Sequence, residues 1–218
     1  MRHVFVETNW VVDFAAPAHA QVPAALALAQ KAEAGDLRLY IPSFCLTEAQ
    51  PVIRTKFQPR ASADAVRRFV GWARSESILK AKECDTVFRV LDRYESTVRR
   101  ELDGLETRLQ FLLARSGIEI FPLNGEMLRR TVEMSTQKLD LKPFDQAILA
   151  AVLVRAEALR IAGADDISFC ELDGDLQPWD KNGRAKQPLR ALYDAAGVWV
   201  YGDFALESPP RRAGFPKA

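Results

Sequence analysis

Apolar and polar positions change period several times along this chain, and each change marks an element. Val4-Phe5-Val6 is a compact β-branched and aromatic run that stops at Glu7-Thr8-Asn9, the pattern of a short buried strand. Pro23 to Ala34 reads as a helix, with Pro in its first turn and Gly35 as its stop. Leu37 to Ile41 alternates as a strand does, and Pro42 ends it. Ser43 can cap a following helix that carries Leu46, Glu48 and Val52, with Pro51 expected to kink or break it.

Residues 60 to 116 have a different texture. Charges are dense, one turn falls near Ser75 to Lys82, and apolar positions recur at helical spacing in Ala63 to Arg74 and Cys84 to Arg115. Val87, Val90, Leu91, Tyr94 and Val98 are examples. Two helices are expected there, the second long, with Gly104 the place for a break.

Beyond Gly117 the alternation of elements resumes. Ile118 to Pro122 is a strand, Asn124 caps a helix through Met134, and Pro143 starts a strongly apolar helix from about Phe144 to Ile161. Ile167 to Leu172 and Val198 to Tyr201 are further strands. Asp173 to Lys186, with Gly174, Pro178, Asn182 and Gly183, reads as loop, and residues 208–218 as a flexible tail. Strands separated by helices predict an α/β, three-layer sandwich with a central, mostly parallel sheet. It is expected as one domain over residues 1–207, with a helical insertion at about 60–116.

Composition narrows the class. Of 218 residues, 48% are apolar and 27% charged, a balance that supports a core of its own without disulfide or structural zinc. Thirty Lys and Arg against 29 Asp and Glu leave a net charge of +1, so no whole-molecule attraction to polyanions can be argued. Cys45, Cys84 and Cys170 form no CxxC pair and read as reduced, buried thiols. Two histidines, His3 and His19, leave no basis for a histidine-rich zinc site. The N-terminus turns polar too early for a signal peptide, and no run of 18 apolar residues occurs. A soluble, cytoplasmic protein with no membrane partner is expected.

In open α/β sheets ligands bind at the carboxyl ends of the strands, so acids placed there are the candidates. Glu7 follows the first strand, and Asp173, with Asp175 two residues on, follows the fourth. Asp145 lies in the first turn of the apolar helix, and Glu48 is the only acid in the helix after the second strand. Each has an ordinary structural explanation: helix-dipole complement for Asp145, turn residues for Asp173 and Asp175, a solvated face for Glu48. The weight lies in the joint pattern. Clustered carboxylates raise one another's pKa, and a hard divalent cation such as Mg²⁺ or Mn²⁺ relieves this. One or two such ions could activate water and stabilise the leaving oxygen of a phosphodiester. An EF-hand starting at Asp173 is excluded by Pro178 at the place that needs Gly. The chain contains no GxGxxG, GxxxxGK[ST] or GxSxG motif, which removes support for a dinucleotide fold, a P-loop NTPase and a serine hydrolase.

The ordered set of motifs resembles the PIN-domain family of metal-dependent ribonucleases. Val4 to Asn9 is similar to its opening strand and acid-Thr-Asn motif, and Ile41-Pro42-Ser43 through Thr47-Glu48 to its second strand and acid-bearing helix. Pro143 to Ala151 is similar to its helix with an early Asp, and Phe169 through Asp173-Gly174-Asp175 to its final acidic motif. The matches cover roughly residues 3–57 and 118–202. The resemblance implies Glu7, Glu48, Asp145 and Asp173 as catalytic acids, with Glu7, Asp145 and Asp173 on the metal. Asp175 would support them and Asn9 would orient the first carboxylate. It also implies Mg²⁺ or Mn²⁺ as cofactor, RNA as substrate, and a toxin-type nuclease with an antitoxin, another protein or a second copy of the chain as partner. Two positions depart from the family pattern. Glu7 stands where Asp is usual, and Glu171 where Thr or Ser is common.

The span from Arg54 to Arg130 carries 16 basic and 11 acidic residues, against 14 and 18 in the remainder. This asymmetry suits a basic helical arm beside an acidic site, with Arg67, Arg68, Arg99 and Arg100 as phosphate contacts. Solvated helix faces explain the same charges equally well. Two rival functions stay open: an inactive nucleic-acid or protein-binding module, and a metal-dependent phosphohydrolase acting on small esters.

Overall fold

The computed structural model describes residues 1–137 and 139–206; the tail expected over 208–218 lies outside the described residues. Five strands form one sheet: β1 (Arg2–Phe5), β2 (Leu37–Pro42), β3 (Ile118–Phe121), β4 (Ile167–Cys170) and β5 (Val198–Tyr201). All neighbouring pairs are parallel, in the order β3-β2-β1-β4-β5. The strands are short because each is a brief β-branched or aromatic run ended by a turn former or an acid.

The connections fill two sets. Helices α1 (Thr8–Ala15), α2 (Pro23–Glu33) and α3 (Ser43–Lys56) belong to the first, with the insertion helices α4 (Pro59–Ser75), α5 (Ala81–Asp103) and α6 (Leu105–Leu113). Helices α7 (Gly125–Ser135), α8 (Pro143–Ile161) and α9 (Leu189–Ala196) form the second. In the first set α1 packs on α2, α3 and α6; in the second α7 packs on α8, and α8 on α9. Right-handed crossovers put the two sets on opposite faces, because the chain steps one way from β1 to β3 and the other way from β3 to β5. The arrangement is consistent with a three-layer α/β/α fold.

Helix α8 shows why its sequence is so apolar. Every residue from Ile148 to Val154 is buried, as expected for a helix covered by the sheet and by α7 and α9. Each large aliphatic side chain so buried contributes roughly 1.5–3 kcal/mol.

Three elements differ from expectation. Helix α3 runs unbroken through Pro51 to Lys56 rather than ending there. Pro51 and Thr47, whose carbonyl loses a donor, are both exposed, while Cys45, Ala49 and Ile53 anchor the helix to the core on either side. The carbonyl without a donor lies on the exposed face, so burial of Cys45, Ala49 and Ile53 outweighs the lost bond. Helix α1 was hidden in the pattern, because Trp10-Val11-Val12 is an unbroken apolar run that suits a buried strand as well as a buried helix. Helix α9 follows the long loop as a two-turn element and was not anticipated.

The insertion is a helical hairpin of α4 on α5, followed by α6 after Gly104. Arg67 on α4 bonds Asp92 of α5 at 2.6 Å and also Glu95, and the Ala18 N–H donates to Glu101 at 2.6 Å, fixing α5 to the body. Gly117, at φ 76°, passes so close to α2 that a Cβ there would meet the Ala32 carbonyl oxygen at 2.0 Å. Cys45, Cys84 and Cys170 are buried free thiols. Among the described residues no helix is long and apolar enough to cross a membrane.

Candidate active site

The strand order reverses direction between β1 and β4, and that is where an open parallel sheet offers a crevice beyond its carboxyl ends. Phe5 pairs with Phe169 across these strands, and carrying the register two residues further brings Glu7 level with Glu171. Glu7 is 3% exposed and Glu171 is fully buried.

Glu7 is the N-cap of α1, and its Oε2 accepts the Asn9 N–H at 2.8 Å. The other oxygen, Oε1, is buried with no partner. Burial pushes the carboxyl up to about 8, opposed by the Asn9 hydrogen bonds and reinforced by the charges of Glu48 and Asp173. Asn9 meets the first acid through its backbone N–H.

Glu171 is fixed by the loop that follows it. The Asp173 N–H donates to its Oε1, and Gln177 Nε2 donates to its carbonyl at 2.9 Å, while Oε2 is buried and unpartnered. Burial, and then the Glu7 charge, hold its proton affinity well above the ordinary glutamate value. Asp173 and Asp175 are exposed on the rim; Asp173 Oδ1 accepts the Asp175 N–H at 3.0 Å, and Lys142 lies 3.7 Å from Asp175 Oδ2. The deep acid of this segment is thus Glu171, treated from sequence only as a departure from pattern.

Asp145 sits in the first turn of α8, half-buried, with Oδ2 buried and unpartnered. Desolvation and then the Asp173 charge raise its pKa, with Lys142 opposing. Glu48 reaches the site from α3, where Thr8 Oγ1 donates to its Oε2. Phe44, one turn before Glu48, meets Phe144, the neighbour of Asp145, edge to face at 5.0 Å. That aromatic contact joins the acid-bearing turns of α3 and α8. Thr8 and Glu171 are the two residues that motif reading did not assign; the signal for Glu171 was an acid directly after the strand Ile167–Cys170, as Glu7 follows the first strand.

The donors are all carboxylate oxygens, which suits a hard divalent cation, and three of them are buried without a partner. Among the described residues no three Asp, Glu, His or Cys side chains stand close enough together to hold a cation as they are. The acids share an electric field rather than a closed coordination sphere.

The arginines expected to contact phosphate divide. Arg67 is engaged by Asp64, Asp92 and Glu95, and Arg99 by Glu95, whereas Arg68 and Arg100 are exposed. Arg99 is exposed as well, so of the four only Arg67 is turned partly inward. No family model, curated protein or solved structure matches the chain.

Proposed function

We propose that the chain is a Mg²⁺- or Mn²⁺-dependent ribonuclease of PIN-like type, cleaving at the β1–β4 edge of the sheet. The observation that carries this reading is the set of three buried, unpartnered carboxylate oxygens, Glu7 Oε1, Asp145 Oδ2 and Glu171 Oε2, on three separate elements around the switch point. An orphaned buried acceptor costs free energy, and three together are best explained by a cationic ligand.

In this reading Glu7, Asp145 and Glu171 would hold the cation, with Asp173 and Glu48 beside them. Such an ion would lower the pKa of a water so that its hydroxide attacks phosphorus, and would offset the charge on the leaving oxygen. Asn9 fixes the rotamer of Glu7, Thr8 that of Glu48, and the Phe44–Phe144 contact walls one side of the crevice. Asp175, paired with Lys142 on the rim, supports the loop rather than the ion. A protein partner of the antitoxin kind, a second copy of the chain and a cytoplasmic location belong to the same reading.

A second reading, a binding module without catalysis, is favoured by the absence, among the described residues, of three acids in coordinating range. Single-stranded RNA, single-stranded DNA and a nitrophenyl phosphate ester should be offered to the wild type and to Glu7→Gln, with Mn²⁺ or with EDTA. Manganese-dependent cleavage of RNA, lost in Glu7→Gln, is expected. Hydrolysis of the ester alone would replace RNA with a small substrate, and no cleavage of any of them would leave the binding module.

A further inference from the structure

Helix α5 sorts its charges by face. Cys84, Val98 and Leu102 are buried, and so is Glu95. Most of its acids are engaged within the fold: Asp92 and Glu95 by Arg67, Glu83 by the Lys80 N–H at the helix start, and Glu101 by the Ala18 N–H. On the opposite side the helical repeat aligns Lys82, Arg89, Arg93 and Arg100 within about 40° of arc and along about 27 Å. All four are exposed, and none is in an ion pair among the described residues. Thr86, Ser96 and Thr97 lie between them, also exposed, and only Asp85 and Asp103 flank the stripe.

Composition does not explain this stripe. Over its length α5 holds six acids and five bases, so a randomly mixed face would carry no net positive charge. Arg89 and Arg93 stand one turn apart, a like-charge pair that costs the helix about 0.2–0.5 kcal/mol. An anionic partner offsets that cost. Beside Arg100, Glu101 accepts the Ala18 N–H, which holds this end of α5 to the segment following α1.

We propose that Lys82, Arg89, Arg93 and Arg100 bind the sugar–phosphate backbone of single-stranded RNA. The choice of RNA over another polyanion rests on the nuclease reading above. The stripe, rather than Arg67 and Arg99, which are both paired with acids, is the source of phosphate affinity. Such contacts release counterions, so they set affinity and its salt dependence without reading sequence.

Binding of labelled single-stranded RNA should be measured in EDTA across a salt series. The proteins are wild type, the quadruple variant Lys82→Gln, Arg89→Gln, Arg93→Gln, Arg100→Gln, and a control, Arg74→Gln on α4 with Arg129→Gln on α7. The quadruple variant is expected to flatten the slope of log K against log salt by about 3, at roughly 0.7 per single-strand contact. The control should keep the wild-type slope within about 1, since it leaves the stripe's contacts in place. Melting temperatures should match, because every substituted side chain is exposed. A quadruple variant with the wild-type slope, or a wild type that binds no RNA, overturns the proposal and returns the stripe to solvent or to an acidic protein surface. A lost slope in a protein that never cleaves keeps the stripe and removes the nuclease reading.

Discussion

Glu7 and Glu171 stand level with each other at the ends of adjacent parallel strands, both buried and each with one carboxylate oxygen unpartnered. Two acids in that position cannot both be charged cheaply, and burial raises the proton affinity of each. Under the proposed function the site would choose between protons and a cation.

Stability of the metal-free protein should fall as pH rises. A carboxyl whose folded pKa, about 8, lies above its ordinary 4.5 binds its proton more tightly when folded. Its contribution is fully present below the lower value and is lost as pH passes through the upper one. From Glu7 alone the loss between pH 5 and 8.5 is on the order of 4 kcal/mol, or roughly 8–16 °C in Tm for a chain of this size, and Glu171 acts in the same direction. Thermal melts in EDTA across that range check the slope. Mn²⁺ should restore Tm at high pH, and a melt at pH 8.5 indifferent to Mn²⁺ would remove the cation from the site.

Replacing Glu171 with Gln keeps the shape and deletes one of the two proton-binding groups. The pH slope of Tm should become markedly shallower, and Mn²⁺-dependent cleavage should drop about 100-fold, the scale of losing one electrostatic partner of the reaction. A shallower slope with undiminished cleavage would make Glu171 a structural acid only.

Asp145→Asn should separate stability from activity. The raised pKa of Asp145 means its charge is unfavourable in the metal-free fold, although the N-terminus of α8 offsets about 0.3–1 kcal/mol of that. Tm should stay level or rise slightly while cleavage falls about 100-fold or more. Melting and RNA cleavage measured on the same sample decide it, and normal cleavage would exclude Asp145.

Gly117→Ala tests the packing behind the site. Position 117 has φ 76°, and a Cβ would lie 2.0 Å from the Ala32 carbonyl oxygen, which is backbone and cannot swing away. A loss of about 2–3 kcal/mol is expected, with cleavage per folded molecule unchanged. Gly35→Ala is the comparison. It shares the positive φ, at 83°, but nothing lies within 4 Å, so only about 1 kcal/mol of backbone strain should appear in denaturant melts.

The chain by itself determined which segments alternate as strands and which repeat as helices, because the periods of 2 and 3.6 are written in consecutive residues. β2, β5, α2, α7 and α8 follow from that pattern nearly to the residue. It also placed Glu7, Glu48, Asp145 and Asp173 near strand ends or helix starts, since those positions follow from local order alone. Tertiary structure decided the rest. Only the strand order brings β1 beside β4 and so sets Glu7 opposite Glu171 rather than Asp173, which lies exposed two residues later. Only the packing of α4 on α5 turns Arg67 inward to Asp92 and Glu95 and leaves Lys82, Arg89, Arg93 and Arg100 facing solvent. Periodicity says which residues share a face; which face meets the core, and which charges find partners there, depends on neighbours distant in sequence.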